Sequence, residues 1–254
     1  MIQKLTCRVV LLQSGKVEQV TNYIFYITNQ QKYVDLARQS AESVKRHSSI
    51  KIESVMFFVG DQKIDYGFDL CVNLPAIPGV AWFRQQTLVM PQVLEHFRPL
   101  DRLMYLDCDT YAIGDVEPLY DLLSVGDFAG AHSPRRYAGE NDKQLQWGIP
   151  RSFAEYNIGV NLMQATNNVT RLWTRACELY NAVGEESVCD NQTALRAAMW
   201  WMFQENPRFR CVTFPGEWNC RFNFPGSAGK DVVILHGVSG DMAEAENKVN
   251  LSPK

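Results

Sequence analysis

The sequence lacks the features that mark membrane, secreted and nucleic-acid-binding proteins. No apolar run approaches the roughly 18–20 residues that span a bilayer. The apolar stretch at residues 9–12 is too short for the core of a signal peptide. No basic run is sustained and the net charge is −3, so the chain has no electrostatic footprint for nucleic acid. We therefore expect a cytoplasmic protein with no transmembrane segment and no nucleic-acid partner.

The cysteines lack a pattern as well. There are seven of them, an odd number, and no two form a CxxC pair. Disulfide frameworks and zinc sites both depend on regular cysteine spacing. The scattered thiols therefore favour reduced, mostly buried side chains of an intracellular protein.

What remains is the composition of one ordinary globular domain. The chain has 254 residues, of which 46% are hydrophobic and 21% are charged. This is enough apolar material for a large core. Because no internal repeat or Pro/Gly-rich linker divides the sequence, we expect a single domain over residues 1–254.

Strand and helix signals alternate along the first half of the chain. Apolar runs predict buried strands at residues 23–28, 55–59 and 103–106. Helical periodicity predicts one helix from Asn29, as N-cap, to about His47. It predicts a second over residues 80–97, which Pro91 should divide. This alternation predicts an α/β fold with a mostly parallel central sheet flanked by helices.

Two carboxylates follow the third of these strands. Asp107 and Asp109 lie one residue apart, directly after the apolar run. On a continuing strand they would point the same way, and ligands of open α/β sheets bind beyond the carboxyl ends of strands. Such a pair is a hard oxygen site suited to Mg²⁺ or Mn²⁺, which can neutralise a diphosphate leaving group. A turn with two incidental acids is the alternative.

Other polar residues also lie at the ends of predicted elements. His236 follows the predicted strand at residues 232–235, Asn157 begins another strand, and Asp190 and Gln192 open an apolar helix. Each has an ordinary structural explanation when taken alone. Asp190 can simply cap its helix, and a strand-end histidine is more often structural than a ligand.

Four segments together resemble the glycogenin-like glycosyltransferase family, over the chain from about Tyr23 to His236. In the family's order they are the donor-binding first turn ITNQQKY, the metal motif and following loop YLDCDTYAIGDVEPLYDLL, the FNSGV-type strand YNIGVNLMQAT, and the DQxxL segment CDNQTAL. The resemblance implies a GT-A fold, the nucleotide-diphospho-sugar transferase fold. Residues from about 20 to 110 would form the nucleotide-sugar half and residues from about 111 to 254 the acceptor half.

The resemblance also implies an activity and its partners. It indicates a metal-dependent transferase that moves a hexose from a UDP-linked donor to a carbohydrate or other hydroxyl acceptor, with retention of anomeric configuration. Mn²⁺ or Mg²⁺ would be the cofactor. The oligomeric state stays open, a homodimer included.

Particular residues acquire roles from the same resemblance. The metal ligands would be Asp107, Asp109 and His236. The donor would be bound by Thr28, Asn29, Tyr33, Arg84, Cys108 and Asn157. The reacting centre would be lined by Gln192, Asn191 and Asp190.

The chain departs from the family pattern at several positions. Asn191 stands where the family has an aspartate, and the acid comes one place earlier at Asp190. Tyr33 lies one residue later than the pattern expects. The family's His-x-x-Gly-x-x-Lys-Pro-Trp ending is not reproduced after His236. These departures concern the identity of the transferred sugar and the way in which the chain closes over the diphosphate.

Two other functions compete with the transferase. A haloacid-dehalogenase-type phosphatase also places DxD after an apolar strand, but about a hundred residues precede Asp107 here, and Tyr111 stands where that family has a small residue. A non-catalytic nucleotide-sugar-binding protein is the second alternative. The polar segment at residues 132–151 is a candidate acceptor loop, since such loops carry specificity, or else a surface connection.

Overall fold

A central seven-stranded sheet organises the protein. The computed structural model describes residues 20–62, 67–133, 147–182, 191–221 and 231–237. The strands in chain order are β1 (Asn22–Thr28), β2 (Glu53–Val59), β3 (Leu70–Leu74), β4 (Arg102–Leu106), β5 (Thr110–Ala112), β6 (Phe128–His132), β7 (Tyr156–Gln164), β8 (Cys211–Phe214), β9 (Cys220–Arg221) and β10 (Ile234–His236). The helices are α1 (Gln31–His47), α2 (Trp82–Leu88), α3 (Met90–Leu94), α4 (Glu117–Asp121), α5 (Asn167–Ala182) and α6 (Asn191–Glu205).

The sheet is mostly parallel, as predicted. Its strand order is β3-β2-β1-β4-β7-β6-β8, and only β7 runs against its neighbours. The carboxyl ends of the other six strands therefore share one edge with the beginning of β7. Ligands of such sheets bind at this edge.

Helices cover both faces of the sheet, which explains why its strands are continuously apolar. On β1, Phe25 and Ile27 face the core beneath α3, α5 and α6, whereas Ile24 and Tyr26 face the core beneath α1 and α4. All four side chains are buried. Burying a large apolar side chain contributes about 1.5–3 kcal/mol, so these central strands hold the edge rigidly.

The predicted elements of the first half are confirmed with small shifts of their ends. Pro91 lies in the first turn of α3 and separates it from α2, as expected. The N-cap prediction for Asn29 is wrong, because α1 begins at Gln31 with Gln30 as its N-cap. The Thr28 hydroxyl accepts a hydrogen bond from the Gln30 backbone N–H (3.2 Å), and this turn delays the helix.

The last predicted strand, at residues 232–235, is present with shifted ends. Its Ile234 lies in the core beneath α1, but β10 includes His236 and belongs to a separate three-stranded sheet of order β5-β10-β9. The reason is that β5, directly after the two aspartates, offers β10 an antiparallel partner.

Several predictions concern residues outside the described part of the chain. These are Asp190, Cys7, Cys189 and residues 134–146 of the candidate acceptor loop. The five described cysteines all carry free thiols, as expected. Within the described ranges, none of the helices has both the length and the apolar character to cross a membrane.

Candidate active site

A tight turn holds the two aspartates at the end of β4. The backbone N–H of Asp107 donates to the carbonyl of Gly159 on β7 (2.9 Å). The backbone N–H and the hydroxyl of Thr110 both donate to the carbonyl of Asp107 (3.1 and 2.8 Å). The expected proximity of Asp107 and Asp109 is therefore produced by a turn, and not by alternation along a continuing strand.

Buried hydroxyls of α1 fix the strand that follows this turn. Ser40 Oγ lies 2.9 Å from Thr110 Oγ1, and Ser43 Oγ accepts from the backbone N–H of Ala112 (2.9 Å). Tyr26 OH donates to Ser40 Oγ in turn (2.9 Å). The turn is thus anchored on the core beneath α1.

Asp107, Asp109 and His236 form a group that could hold a metal ion. One ligand atom from each lies within 4.8 Å of the others. His236 Nε2 is 3.2 Å from Asp107 Oδ2 and 3.7 Å from Asp109 Oδ1. The carboxylates are about one-third exposed, whereas the imidazole is buried. Two carboxylate oxygens and one imidazole nitrogen, open on one side, fit a divalent cation such as Mn²⁺ or Mg²⁺.

A chain of hydrogen bonds fixes which nitrogen of His236 faces the carboxylates. The backbone N–H of Gly159 donates to Asn157 Oδ1 (2.9 Å), which identifies that atom as the amide oxygen. Asn219 Nδ2 donates to the same oxygen (2.9 Å), so Asn219 Oδ1 is the atom 2.8 Å from His236 Nδ1. That oxygen can only accept, and Nδ1 therefore carries the proton. His236 Nε2 is therefore the ring nitrogen that faces the aspartates, where it can offer a lone pair to a metal ion.

We expect Asn219→Ala to weaken Mn²⁺ binding by about 10–100-fold, the usual effect of removing a hydrogen-bond partner of a metal-ligating histidine. Mn²⁺ affinity measured by electron paramagnetic resonance titration checks this. Asn73→Ala, an exposed asparagine on β3, is the control. An affinity of Asn219→Ala equal to that of Asn73→Ala would show that the Asn219 contact does not orient His236.

The His236 ring packs directly on the backbone of Gly159. A Cβ atom at Gly159 would lie 2.0 Å from His236 Cε1 and 2.5 Å from both ring nitrogens. Real Cβ contacts are never this close, so the ring occupies the space of a side chain. Gly159 is therefore required for the imidazole to reach the aspartates.

The two aspartates have different electrostatic environments. Burial disfavours the Asp107 carboxylate, but the hydrogen bond and charge of His236, then the Tyr105 hydroxyl (2.8 Å) and Arg221, outweigh it and lower its pKa. Burial and the charge of Asp107 raise the pKa of Asp109. The carboxylates thus repel each other in the metal-free protein, and a divalent cation would relieve that repulsion.

A cavity of about 160 Å³ opens beside these ligands. It is lined by Asp107, Asn157, Ile158, Gly159, Asn191, Gln192, Arg221 and His236. Because β7 runs against its neighbours, its first residues reach the same edge as the turn after β4. The cavity thus brings together the predicted metal ligands Asp107 and His236 with the predicted sugar-binding amides Asn157, Asn191 and Gln192.

Asn157 presents unused hydrogen-bond donors at this cavity. Its side chain is buried, with 2% exposed, and its oxygen accepts the two bonds described above. Its Nδ2 has no hydrogen-bond partner within the described part of the chain. A buried donor without a partner costs about 1–3 kcal/mol, and a ligand hydroxyl in the cavity would satisfy it.

Other predicted donor residues lie outside the cavity lining. Arg84 is buried, donates to the carbonyl of Tyr180 (2.8 Å) and stacks on that ring. Cys108 is buried in the core beneath α1, where burial and then the two neighbouring aspartates raise its pKa and keep the thiol protonated. The donor-binding roles of Arg84 and Cys108 stay predictions.

Thr28, Asn29 and Tyr33 lie where β1 passes into α1, at the same sheet edge as the aspartates. β1 is the parallel neighbour of β4, which places its carboxyl end beside the metal group. Asn29 Oδ1 is buried without a hydrogen-bond partner in the described residues. The three residues are thus near the metal group, and their nucleotide-binding roles stay predictions.

Two residues of the site carried no recognisable sequence signal. Asn219 ends a 3₁₀ turn (Gly216–Asn219), and Arg221 lies on the two-residue strand β9. Neither element is long enough to show a periodicity. Arg221 is positioned by the pairing of β9 with β10, and Asn219 by its side-chain contact with His236, so both depend on a segment that lies beyond local sequence patterns.

No family model and no curated protein matches the chain, but solved structures do. A galactosyltransferase, LgtC, solved with donor and acceptor sugar analogues, is 14% identical with a TM-score of 0.58, over 90% of this chain and 95% of that chain. An active-site mutant of LgtC gives 15% identity and a TM-score of 0.60, over 91% and 95% of the two chains. The glycosyltransferase GlyE of Streptococcus pneumoniae is 17% identical with a TM-score of 0.59, over 92% of this chain and 61% of that chain.

The chain has the GT-A glycosyltransferase fold. Mouse xyloside xylosyltransferase 1 shares it at 12% identity and a TM-score of 0.55, over 85% of this chain and 98% of that chain. Identities this low show the GT-A fold alone. Membership of the glycogenin-like group stays a prediction.

Proposed function

We propose that this protein is a metal-dependent glycosyltransferase that moves a hexose from a UDP-linked donor to the hydroxyl of a carbohydrate or other acceptor. The observation that carries the proposal is the group formed by Asp107, Asp109 and His236, at the edge of a GT-A sheet and beside a cavity lined with amides. We further propose the cytoplasm as its location, which fits the free thiols of the described cysteines.

The proposed binding residues form two groups, one for the diphosphate of the donor and one for its sugar. Asp107, Asp109 and His236 would hold Mn²⁺ or Mg²⁺, which when bound supplies positive charge to the diphosphate leaving group. The Asn157 amide would donate to a sugar hydroxyl through its unpaired Nδ2. Gln192 and Asn191 would bind further hydroxyls from the other side of the cavity. Residues from about 20 to 110 would bind the donor, and residues from about 111 to 254, including 132–151, the acceptor.

The described lining of the cavity offers no carboxylate that would be free to act as a base, and this supports retention of the donor's anomeric configuration. Among the described lining residues, Asp107 is the only carboxylate, and it would be occupied by the cation. Inversion needs a separate general base to take the proton of the acceptor hydroxyl. In front-face attack the leaving phosphate takes that proton instead, and the chain supplies positioning and electrostatic stabilisation.

We expect the first-formed product to keep the donor's anomeric configuration. Proton NMR of the new linkage, recorded before mutarotation, reports the anomeric coupling directly. An inverted product would overturn the front-face mechanism. The candidate catalytic bases would then be Asp190 or an acid of residues 132–151, such as Glu140 or Asp142.

Incubation with a panel of nucleotide sugars and Mn²⁺, without acceptor, tests the proposed function. A glycosyltransferase should hydrolyse its donor slowly and release a nucleoside diphosphate. Release of phosphate from simple monoesters would instead indicate the phosphatase. If the protein binds nucleotide sugars but does not turn them over, even in a second incubation with acceptors added, it is a non-catalytic binding protein.

A further inference from the structure

We propose that Arg221 binds the diphosphate of the donor beside the metal ion, and stabilises the charge that develops on it as the sugar leaves. This inference rests on the proposed glycosyl transfer and names a residue to which neither the sequence motifs nor the metal group assign a role.

The strand register places Arg221 next to the metal group. β9 and β10 run parallel, and Arg221 is the direct cross-strand partner of His236. Residues paired in this way project their side chains to the same face of a sheet. Both residues accordingly line the same cavity as Asp107.

The charges of the site require another cation. Two aspartates neutralise the charge of one divalent cation, and His236 adds none when it ligates through Nε2. The donor diphosphate carries negative charge on both phosphates, and the leaving nucleoside diphosphate gains more. Within the described lining of the cavity, Arg221 is the one side chain with a permanent positive charge. A fixed cation at the position where charge develops is an effective form of catalytic stabilisation.

The guanidinium of Arg221 is placed to meet such a ligand. The residue is half-buried, and no ion pair engages it within the described ranges. Its guanidinium lies near enough for its charge to act on both carboxylates. By contrast, Arg84 is buried against Tyr180.

Arginine suits this task better than lysine does. Its planar guanidinium can donate two parallel hydrogen bonds to phosphate oxygens, whereas a lysine ammonium acts as a point charge. We therefore expect Arg221→Lys to keep only part of the function of Arg221.

The test is calorimetric titration of UDP, inorganic pyrophosphate and uridine into the protein with saturating Mn²⁺. In Arg221→Ala we expect UDP and pyrophosphate to bind about 10–100-fold more weakly, the effect of losing a charge-assisted hydrogen bond. The uridine affinity should stay unchanged, and Mn²⁺ affinity should not fall, because the substitution removes a positive charge near the two aspartates. Arg221→Lys should lie between Arg221→Ala and the wild type. Arg171→Ala, which removes an exposed arginine of α5, should bind all ligands as the wild type does.

The outcomes separate this inference from the function on which it rests. Equal affinities of Arg221→Ala and wild type for pyrophosphate, or equal losses for uridine and UDP, would overturn the role of Arg221 and leave the transferase standing. If the wild type binds neither UDP nor pyrophosphate with Mn²⁺, the proposed function itself fails, and the role of Arg221 fails with it.

Discussion

Asp109→Asn should abolish the stabilisation that Mn²⁺ and a nucleoside diphosphate together give to the folded protein. The carboxylate is about one-third exposed, and within the described residues its one ion-pair partner is His236, at 3.7 Å. It therefore contributes charge to a cation and little packing to the core. At a ligand concentration about 100 times Kd, the wild type should gain about 2.7 kcal/mol, and the variant should gain none.

The same substitution should leave the metal-free protein at least as stable as the wild type. Because the pKa of Asp109 is raised by burial and by Asp107, its ionisation opposes folding. The folded protein is therefore more stable at low pH, where Asp109 is protonated, and it loses this stability as the pH rises through the raised pKa of Asp109. Asparagine removes the charge and the repulsion together.

Thermal unfolding with and without Mn²⁺ and nucleoside diphosphate measures both effects. Asp121→Asn, which removes an exposed carboxylate of α4, is the matched control and should respond as the wild type does. If Asp109→Asn were stabilised by the ligands as strongly as Asp121→Asn, the metal assignment would be wrong.

Gly159→Ala should destabilise the protein and disable the metal group at once. The new methyl group would lie 2.0 Å from His236 Cε1, so the ring or strand β7 has to move. Overpacking of this kind typically costs about 1–3 kcal/mol. Displacing the ring also removes Nε2 from the aspartates, and Mn²⁺ affinity should fall with it. Urea unfolding and metal titration measure the two consequences.

A matched control and a double variant show whether the clash with the His236 ring causes the effects of Gly159→Ala. Gly114→Ala places its methyl group 3.4 Å from Val233 Cγ1, an ordinary contact, and should be nearly neutral. Removing the ring first, in His236→Ala, should make the further change Gly159→Ala much less costly. The two substitutions would then be strongly coupled in a double-mutant cycle. If the two substitutions change the free energy of unfolding additively, Gly159 is required by strand β7 itself and not by the ring of His236.

The sequence was most informative where a signal was local. A continuous apolar run predicts a strand buried on both faces, and acids directly after it have to lie at the sheet edge. Asp107 and Asp109 could therefore be placed from the residues alone. His236 was identified by resemblance, since nothing local separates a metal ligand from a structural histidine at a strand end.

The rest of the site depends on contacts between distant segments. Asn219 orients His236, and Arg221 pairs with it, but the short elements that carry them have no periodicity. The same limit applies to Gly159. A glycine two residues after Asn157 is visible in the sequence, but the imidazole that requires it approaches from another sheet.

Pulsed electron paramagnetic resonance of Mn²⁺ bound with UDP tests the central claim most directly, because it identifies the atoms around the ion. We predict nitrogen coupling from His236 and phosphorus coupling from the diphosphate in the same spectrum. The nitrogen coupling should be lost in His236→Ala, and both should be lost in Asp109→Asn at the same Mn²⁺ concentration. Phosphorus coupling without nitrogen coupling in the wild type, or a spectrum unchanged in both variants, would contradict the account.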